Sequence, residues 1–187
     1  ITAVASNLQE AFGYESTDSH LVIEGYHFIM VSPDGDGSGF SADKQAWLAQ
    51  ELEAAAKDDP TGTKPIFVFQ HQHITGTVLG STNWGVTELT EILSKYPQVV
   101  DFSGHSHFPM NDPRSVWQGE FTALGTGTLS YYECDLVGVQ TCSIFPKNAK
   151  GAYGSSRASR DAAQYYIVEV DENNAVRILP VDILTEQ

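Results

Sequence analysis

Two short apolar runs in the middle of the chain each end in a pair of histidines. Residues 66–69 (Ile-Phe-Val-Phe) lead into Gln-His-Gln-His at 70–73, and residues 99–103 (Val-Val-Asp-Phe-Ser) lead into Gly-His-Ser-His at 104–107. Short runs rich in β-branched and aromatic residues are typical of buried strands. Apolar residues at helical spacing over 84–96 predict a helix between them. The pattern therefore predicts a strand, a helix and a parallel strand, with both histidine pairs at the carboxyl edge of the sheet.

Hydrophobic patterning predicts further elements on both sides of this unit. Residues 21–31 are typical of two strands around a turn, and residues 165–170 and 176–181 of a closing hairpin. Ser41 is placed to cap a helix that carries an apolar stripe. The stripe consists of Trp47, Leu48, Leu52 and Ala55. Together these elements predict an α/β fold with a mixed sheet and flanking helices.

Four of the six histidines converge on one predicted edge of the sheet. A single histidine after a strand is ordinarily a hydrogen-bonded loop residue, but two pairs at matching positions favour a metal site, because neutral imidazole is the commonest metal ligand among side chains. We expect Gly104 to let the backbone turn tightly, so that His105 swings toward the strand end. The other two histidines, His20 and His27, have no partner motif and are expected in strand or turn positions.

The two histidine motifs resemble those of a known enzyme family. Phe-Val-Phe-Gln-His at 67–71, followed by Gly-His-Ser-His at 104–107, is similar to the last two metal motifs of the calcineurin-like metallophosphoesterases, which close a two-metal site. Residues 40–48 resemble the helix that these enzymes place before the isolated histidine, and residues 80–85 resemble a loop of bacterial members. The resemblance spans roughly residues 21–130. It implies part of a four-layer α/β/β/α sandwich.

The resemblance implies a role for each histidine of the two pairs. His71 and His105 would bind one metal ion, and His107 would bind the other. His73 stands where many relatives have Pro and is expected to support catalysis from behind the metal ligands. The implied cofactors are two metal ions drawn from Fe, Zn or Mn, and the implied substrate is a phosphate mono- or diester.

Two residues outside the histidine pairs are candidates for substrate binding. Asn83 lies just before the predicted helix, beside Trp84, which is equally well placed to be a core residue. Arg114 ends the turn at 111–114 and could contact a substrate phosphate through its guanidinium fork. The alternative for Arg114 is a surface ion pair with Asp112.

Other ligands that the family uses are missing from this sequence. Its Gly-Asp-x-x-Asp motif and its Gly-Asn-His motif followed by Asp or Glu do not occur. Three imidazoles cannot fill two metal sites. We therefore expect residues 1–187 to be a single domain that is the carboxyl-terminal portion of a longer enzyme, inactive alone, with the amino-terminal segment as its required partner.

Composition narrows the classes of partner. The 187 residues include 10 basic and 24 acidic side chains, which give a net charge of -14. This charge argues against a nucleic-acid scaffold or an anionic membrane surface as partner. The sequence contains no run of about 18 apolar residues, so no membrane span is expected.

The two cysteines, Cys134 and Cys142, are close enough in sequence for a hairpin disulfide, which favours an extracellular or cell-surface location. Two reduced thiols in the cytoplasm are the alternative.

Two other functional classes remain open at this point. A mononuclear zinc hydrolase or lyase could draw three ligands from His71, His105 and His107 and keep an open position for water. A metal-binding or adhesive module without catalytic activity would use the same cluster only to stabilise its loops. The number of ions bound and the turnover they support separate the three hypotheses.

Overall fold

A computed structural model describes residues 16–35, 39–129 and 163–183, together with residues 10 and 13 and two short strands at 132–133 and 157–159. Cys134 and Cys142, for which a hairpin disulfide or two reduced thiols are expected, lie outside the described residues.

Within the described residues, six strands form one mixed sheet in the order β1-β2-β3-β6-β8-β7. The strands are β1 (Ser19–Ile23), β2 (Tyr26–Met30), β3 (Ile66–Gln70), β6 (Val99–Ser103), β7 (Val116–Gln118) and β8 (Thr122–Gly125). Strands β2, β3, β6 and β8 are parallel, and β1 and β7 pair antiparallel at the two edges. The predicted hairpin within 21–31 and the predicted parallel pair that carries the histidines are both confirmed.

Three shorter pairings accompany the main sheet. The parallel pair is β4 (His73–Ile74) with β5 (Gly85–Val86), and the antiparallel pairs are β9 (Tyr132–Glu133) with β10 (Arg157–Ser159) and β11 (Gln164–Val170) with β12 (Val176–Asp182). The last pair confirms the predicted closing hairpin.

Helix α1 (Ala42–Asp58) covers one face of the sheet. Its residues Leu48, Leu52 and Ala55 are buried against a cluster that includes Ile29 and Val68, as the apolar stripe predicts. Burying one such side chain contributes about 1.5–3 kcal/mol. The expected cap is only partly observed: residue 41 precedes the helix, but its hydroxyl makes no capping hydrogen bond.

The prediction of a single helix over 84–96 is wrong. Two one-turn helices, α2 (Ser81–Trp84) and α3 (Thr90–Leu93), replace it, with β5 between them. Gly85 is extended, and a Cβ there would lie 2.2 Å from the Ser81 carbonyl oxygen. The Thr75 amide donates to the Val86 carbonyl, so β5 is held in an extended ladder. The apolar residues at helical spacing are nevertheless buried: Val86, Leu89 and Leu93.

The β11–β12 hairpin packs on the other face of the sheet. Its Tyr166, Val170, Val176 and Ile178 contact a cluster centred on Phe67 and Phe102. An apolar cavity of about 470 Å³ remains between the hairpin and the sheet. The described part of the chain is therefore a mixed α/β structure with helices on one face of a sheet and a β-hairpin on the other. None of its described helices has the length and apolar character needed to cross a membrane.

A carboxyl group lies in the centre of this sheet. Asp101 on β6 is fully buried, and its Oδ2 accepts a 3.3 Å hydrogen bond from Gln70 Nε2, while its Oδ1 has no hydrogen-bond partner among the described residues. Burial raises the pKa of Asp101 to about 7, although the Gln70 hydrogen bond acts in the opposite direction. The carboxyl is therefore neutral in mildly acidic solution.

The stability of the protein should depend on the proton held by Asp101. Because the folded-state pKa lies above the unfolded value of about 3.9, the folded form keeps a proton that the unfolded chain releases. The wild type should lose stability relative to Asp101→Asn as the pH rises from about 4 to about 7, by on the order of a few kcal/mol. Urea unfolding at a series of pH values measures this difference. Asp43→Asn, at an exposed position of α1, is the control, and a pH-independent difference for Asp101→Asn would contradict the expectation.

Candidate functional site

The Gly-His-Ser-His segment after β6 has an uncommon backbone conformation. His105 and His107 have φ angles of 63° and 58°, in the left-handed region that side chains rarely adopt. The Ser106 amide donates to the Gly104 carbonyl at 2.7 Å, which closes a tight γ-turn centred on His105. A non-glycine residue in this region costs about 1–2 kcal/mol, and such strain is concentrated at functional sites.

The predicted role of Gly104 in this turn is wrong. Gly104 does not have a positive φ, and a Cβ there would make an ordinary contact, 3.5 Å from the Thr126 hydroxyl. The left-handed conformation falls on the two histidines instead. The surrounding hydrogen bonds, rather than the freedom of a glycine, therefore decide where the His105 ring points.

His71 and His105 are in contact, as the parallel strands predict. The Gly104 amide donates to the His71 carbonyl at 3.0 Å, which joins the two loops. His105 Nδ1 lies 3.1 Å from His71 Nε2, and the rings meet edge to face with an interplanar angle of 76°. Both side chains are exposed to solvent. Two imidazole nitrogens therefore converge on one accessible point.

The geometry of this pair fits a shared metal ion. Two nitrogens bound to one ion at about 2.0–2.1 Å lie roughly 2.9 Å apart at a right angle and roughly 3.4 Å apart at the tetrahedral angle, and the observed separation of 3.1 Å falls between these values. Partial desolvation by the surrounding loops, followed by the neighbouring His105 and His107, lowers the pKa of the exposed His71 and favours the neutral form that binds metals. Among the described residues, however, no group of three or more His, Cys, Asp or Glu side chains has the arrangement of a metal site. The described residues thus bring two imidazole nitrogens together, and a metal ion bound by them stays a prediction.

His73 lies behind this pair and has no access to solvent. Its Nδ1 is 2.8 Å from Ser103 Oγ and its Nε2 is 2.6 Å from Ser106 Oγ. Burial, with smaller contributions from His105 and His71, lowers the pKa of His73 to about 4, so the ring is neutral. A neutral ring matches the contacts, since Nδ1–H can donate to Ser103 while the Ser106 hydroxyl donates to Nε2. His73 therefore joins the end of β6 to the strained turn and does not face solvent.

Trp84, the last residue of α2, lies beside His105. The Trp84 ring lies edge to face with the His105 ring at 6.5 Å between centroids and stacks on Phe108 at 5.9 Å, while 41% of Trp84 remains exposed. Trp84 is thus not a core residue, and its part in lining a substrate pocket stays a prediction. Asn83, next to it on α2, is also exposed. Its role in substrate binding stays a prediction.

Arg114 makes the ion pair that was the alternative to substrate binding. Its Nε and one terminal nitrogen contact the two carboxylate oxygens of the buried Asp112 at 3.0 and 2.8 Å. Its carbonyl accepts a hydrogen bond from the Leu79 amide, which joins this turn to the loop before α2. The fork is thus held by Asp112, and a contact with substrate stays a prediction.

Sequence reasoning did not identify three residues that shape the site. Ser103 and Ser106 bind both nitrogens of His73, and Phe108 supports Trp84. The only signal in the sequence is that both serines stand next to Gly104 or His105. No sequence pattern distinguishes a serine that hydrogen-bonds a buried histidine from an ordinary loop serine.

Comparison with models of known protein families and with curated proteins yields no match to this sequence. The relation to metallophosphoesterases is therefore a hypothesis carried by the two motifs and by the geometry of the histidines.

Substitution of Gly80 tests how closely the loop before α2 packs on the turn at His105. A Cβ at Gly80 would lie 2.8 Å from Ser106 Cβ and 2.9 Å from the Phe108 ring, whereas Gly76, with nearly the same φ, has no atom within 4 Å. Both changes to Ala incur the cost of a positive φ, but Gly80→Ala should cost about 1–3 kcal/mol more because the turn must move. Urea unfolding of both variants measures this difference. Equal losses in Gly80→Ala and Gly76→Ala would show that the contact does not constrain the turn.

Proposed function

We propose that this chain supplies the histidine ligands of a two-metal site that hydrolyses phosphate mono- or diesters, as in the calcineurin-like metallophosphoesterases. The observation that carries the proposal is the 3.1 Å separation of His71 Nε2 and His105 Nδ1 at the carboxyl ends of two adjacent parallel strands. In open parallel sheets this edge is where ligands bind. The left-handed backbone of His105 is further support, because the fold tolerates strain to hold that ring.

Each residue of the site has a distinct part in the proposal. His71 and His105 hold one ion, and His107, which is close enough to lower the pKa of His71, holds the second. The ions, from among Fe, Zn and Mn, supply Lewis-acid polarisation of the phosphoryl group. His73 keeps the His105 turn in place through the two serine hydroxyls. Trp84 and Asn83 border the space in which the ester binds, and Arg114, whose guanidinium Asp112 holds, remains a candidate for a contact with the phosphate.

The fold is compatible with part of a four-layer sandwich. Helix α1 and the mixed sheet would form two of the layers. The opposite face of the sheet carries aromatic side chains and is only partly filled by the β11–β12 hairpin, which leaves the cavity of about 470 Å³. A second sheet on that face would complete the sandwich. It would also supply the metal ligands that the two sites need in addition to the three histidines.

Metal titration separates this proposal from its alternatives. We expect weak binding of Zn²⁺ or Mn²⁺ by the chain alone, without turnover of a generic phosphodiester such as bis-p-nitrophenyl phosphate. Tight binding of two ions and turnover should appear in a longer polypeptide that adds the remaining ligands. One tightly bound zinc with turnover by the chain alone would favour the mononuclear enzyme instead. Tight binding without turnover in either protein would favour a metal-binding module.

Removing individual histidines distinguishes ligands from supporting residues. In the active protein, His105→Ala should reduce phosphodiester hydrolysis to background, because one metal loses a ligand. His73→Ala should lower it by only about 10–100-fold, the usual effect of changes behind a metal ligand. His73→Ala should also lower the free energy of unfolding by roughly 2–4 kcal/mol, because it leaves a cavity and two buried hydroxyls. Unchanged turnover in His105→Ala would contradict the assignment.

Trp84 should affect substrate binding more than turnover. With p-nitrophenyl phosphate, Trp84→Leu should raise KM about 2- to 10-fold through lost aromatic contact and leave kcat nearly unchanged. Trp84→Phe is the matched control, since it retains an aromatic ring on Phe108. Steady-state kinetics with an alkyl phosphate should show a smaller effect. Equal KM values for wild type and Trp84→Leu would remove Trp84 from the proposed site.

A further inference from the structure

Gln164 is the first residue of strand β11, and only 4% of it is exposed. Its Oε1 accepts a 2.8 Å hydrogen bond from the Met110 amide, and its Nε2 donates to Asp182 Oδ2 at 3.5 Å. Both contacts require the same orientation of the side-chain amide, because an N–H must meet an oxygen and a carboxylate must meet a donor. The backbone amide of Gln164 donates to the Thr128 carbonyl at 3.3 Å. Gln164 therefore joins three other segments of the chain.

The first of these contacts lies in the segment that carries His105 and His107. None of residues 104–112 belongs to a helix or a strand, so no regular ladder of backbone hydrogen bonds fixes the course of this segment. Its two histidines have left-handed backbones, which persist only where the surrounding structure holds them. Met110 is buried, and a buried N–H group needs an acceptor. Gln164 supplies that acceptor from a position 54 residues further along the chain.

The contact with Thr128 lies in the segment that follows β8. In that segment the Thr126 amide and hydroxyl both donate to the Ser103 carbonyl, at 2.8 and 3.1 Å. Ser103 directly precedes segment 104–112, and its hydroxyl contacts the buried His73. The hydrogen bonds of Gln164 therefore reach the chain on both sides of the strained turn.

We propose that Gln164 is a positioning residue of the histidine site, which keeps His107 close to His71 and His105 by holding segment 104–112 against the β11–β12 hairpin. An apolar side chain of the same length would leave the buried Met110 amide without this acceptor, and the segment would have to move to find another. The part of His107 as a metal ligand rests on the proposed function, whereas the hold on the segment rests on the contacts of Gln164 alone. Gln164 acts through the segment and contacts neither metal nor substrate.

NMR on the full chain tests this role without reference to enzymatic activity. Gln164→Met keeps the length of the side chain and removes its amide, whereas the control Tyr166→Phe removes another hydrogen bond of the same hairpin, from the Tyr166 hydroxyl to the Gly125 carbonyl. Both variants should be less stable in urea, but only Gln164→Met should loosen the turn. Backbone ¹⁵N order parameters at residues 105–107 should stay near about 0.85 in the wild type and the control and fall toward about 0.6 in Gln164→Met. Unchanged values in Gln164→Met, or an equal fall in Tyr166→Phe, would overturn the proposal.

Exchanging the amide and the carboxylate provides a rescue. In the double variant Gln164→Glu with Asp182→Asn, position 164 still offers an oxygen to the Met110 amide, and position 182 offers the donor that the first contact partner then lacks. This variant should restore the order parameters of the wild type, and a failure to do so would count against the acceptor role. If Gln164→Met does not fold, Gln164→Asn tests the same loss, because its side chain is one methylene shorter and withdraws the acceptor from Met110.

Zinc titration of the same proteins connects the positioning role to the metal. The Zn²⁺ dissociation constant of the full chain should rise about 10-fold or more in Gln164→Met, the usual effect of changes behind a metal ligand, and remain nearly unchanged in Tyr166→Phe. A loosened turn with unchanged zinc affinity would contradict the connection to the metal site. No zinc binding by the wild type would contradict the proposed function instead, while the order parameters would still decide whether Gln164 positions the turn.

Discussion

The parallel pairing of β3 with β6 aligns Gln70 with Ser103, and both strands end at these residues. The loops that follow must therefore begin side by side at one edge of the sheet. The hydrogen bond from the Gly104 amide to the His71 carbonyl extends this alignment beyond the strands. The 3.1 Å approach of the His71 and His105 rings is a consequence of that register, and a slip of one residue would turn them to opposite faces.

The Gly-His-Ser-His segment at 104–107 needs support because two of its residues are in the left-handed region. The support is buried and polar: His73, fully enclosed, has Ser103 at one ring nitrogen and Ser106 at the other. Each such hydrogen bond contributes about 1 kcal/mol, which is comparable with the cost of one strained residue. The network thus offsets the strain and leaves His105 exposed. An exposed ring on a fixed backbone is what a metal or substrate site requires.

Five of the six histidines show how the environment of a side chain decides its role. His71 and His105 face solvent and each other, while His73 is neutral in the interior. His20 contacts Glu51 and His27, and burial, followed by the charge of His20, lowers the pKa of His27. The same contrast applies to Asp101 in a central strand, where burial raises the pKa of the carboxyl and only a hydrogen bond from Gln70 opposes it within the described part of the chain. In each case desolvation and the nearest charge decide the protonation state.

The sequence by itself determined strands β1, β2, β3 and β6, the long helix, the closing hairpin and the meeting of His71 with His105. These features follow from local hydrophobic periodicity and from the rule that parallel strands end at a common edge. It did not determine the break in the segment 84–96, the left-handed conformation at His105 or the partners of His73 and His20. Those depend on contacts between residues distant in the chain, such as Thr75 with Val86 and His20 with Glu51. Only the tertiary structure decided them, because a hydrogen bond of this kind leaves no periodic pattern in the residues that make it.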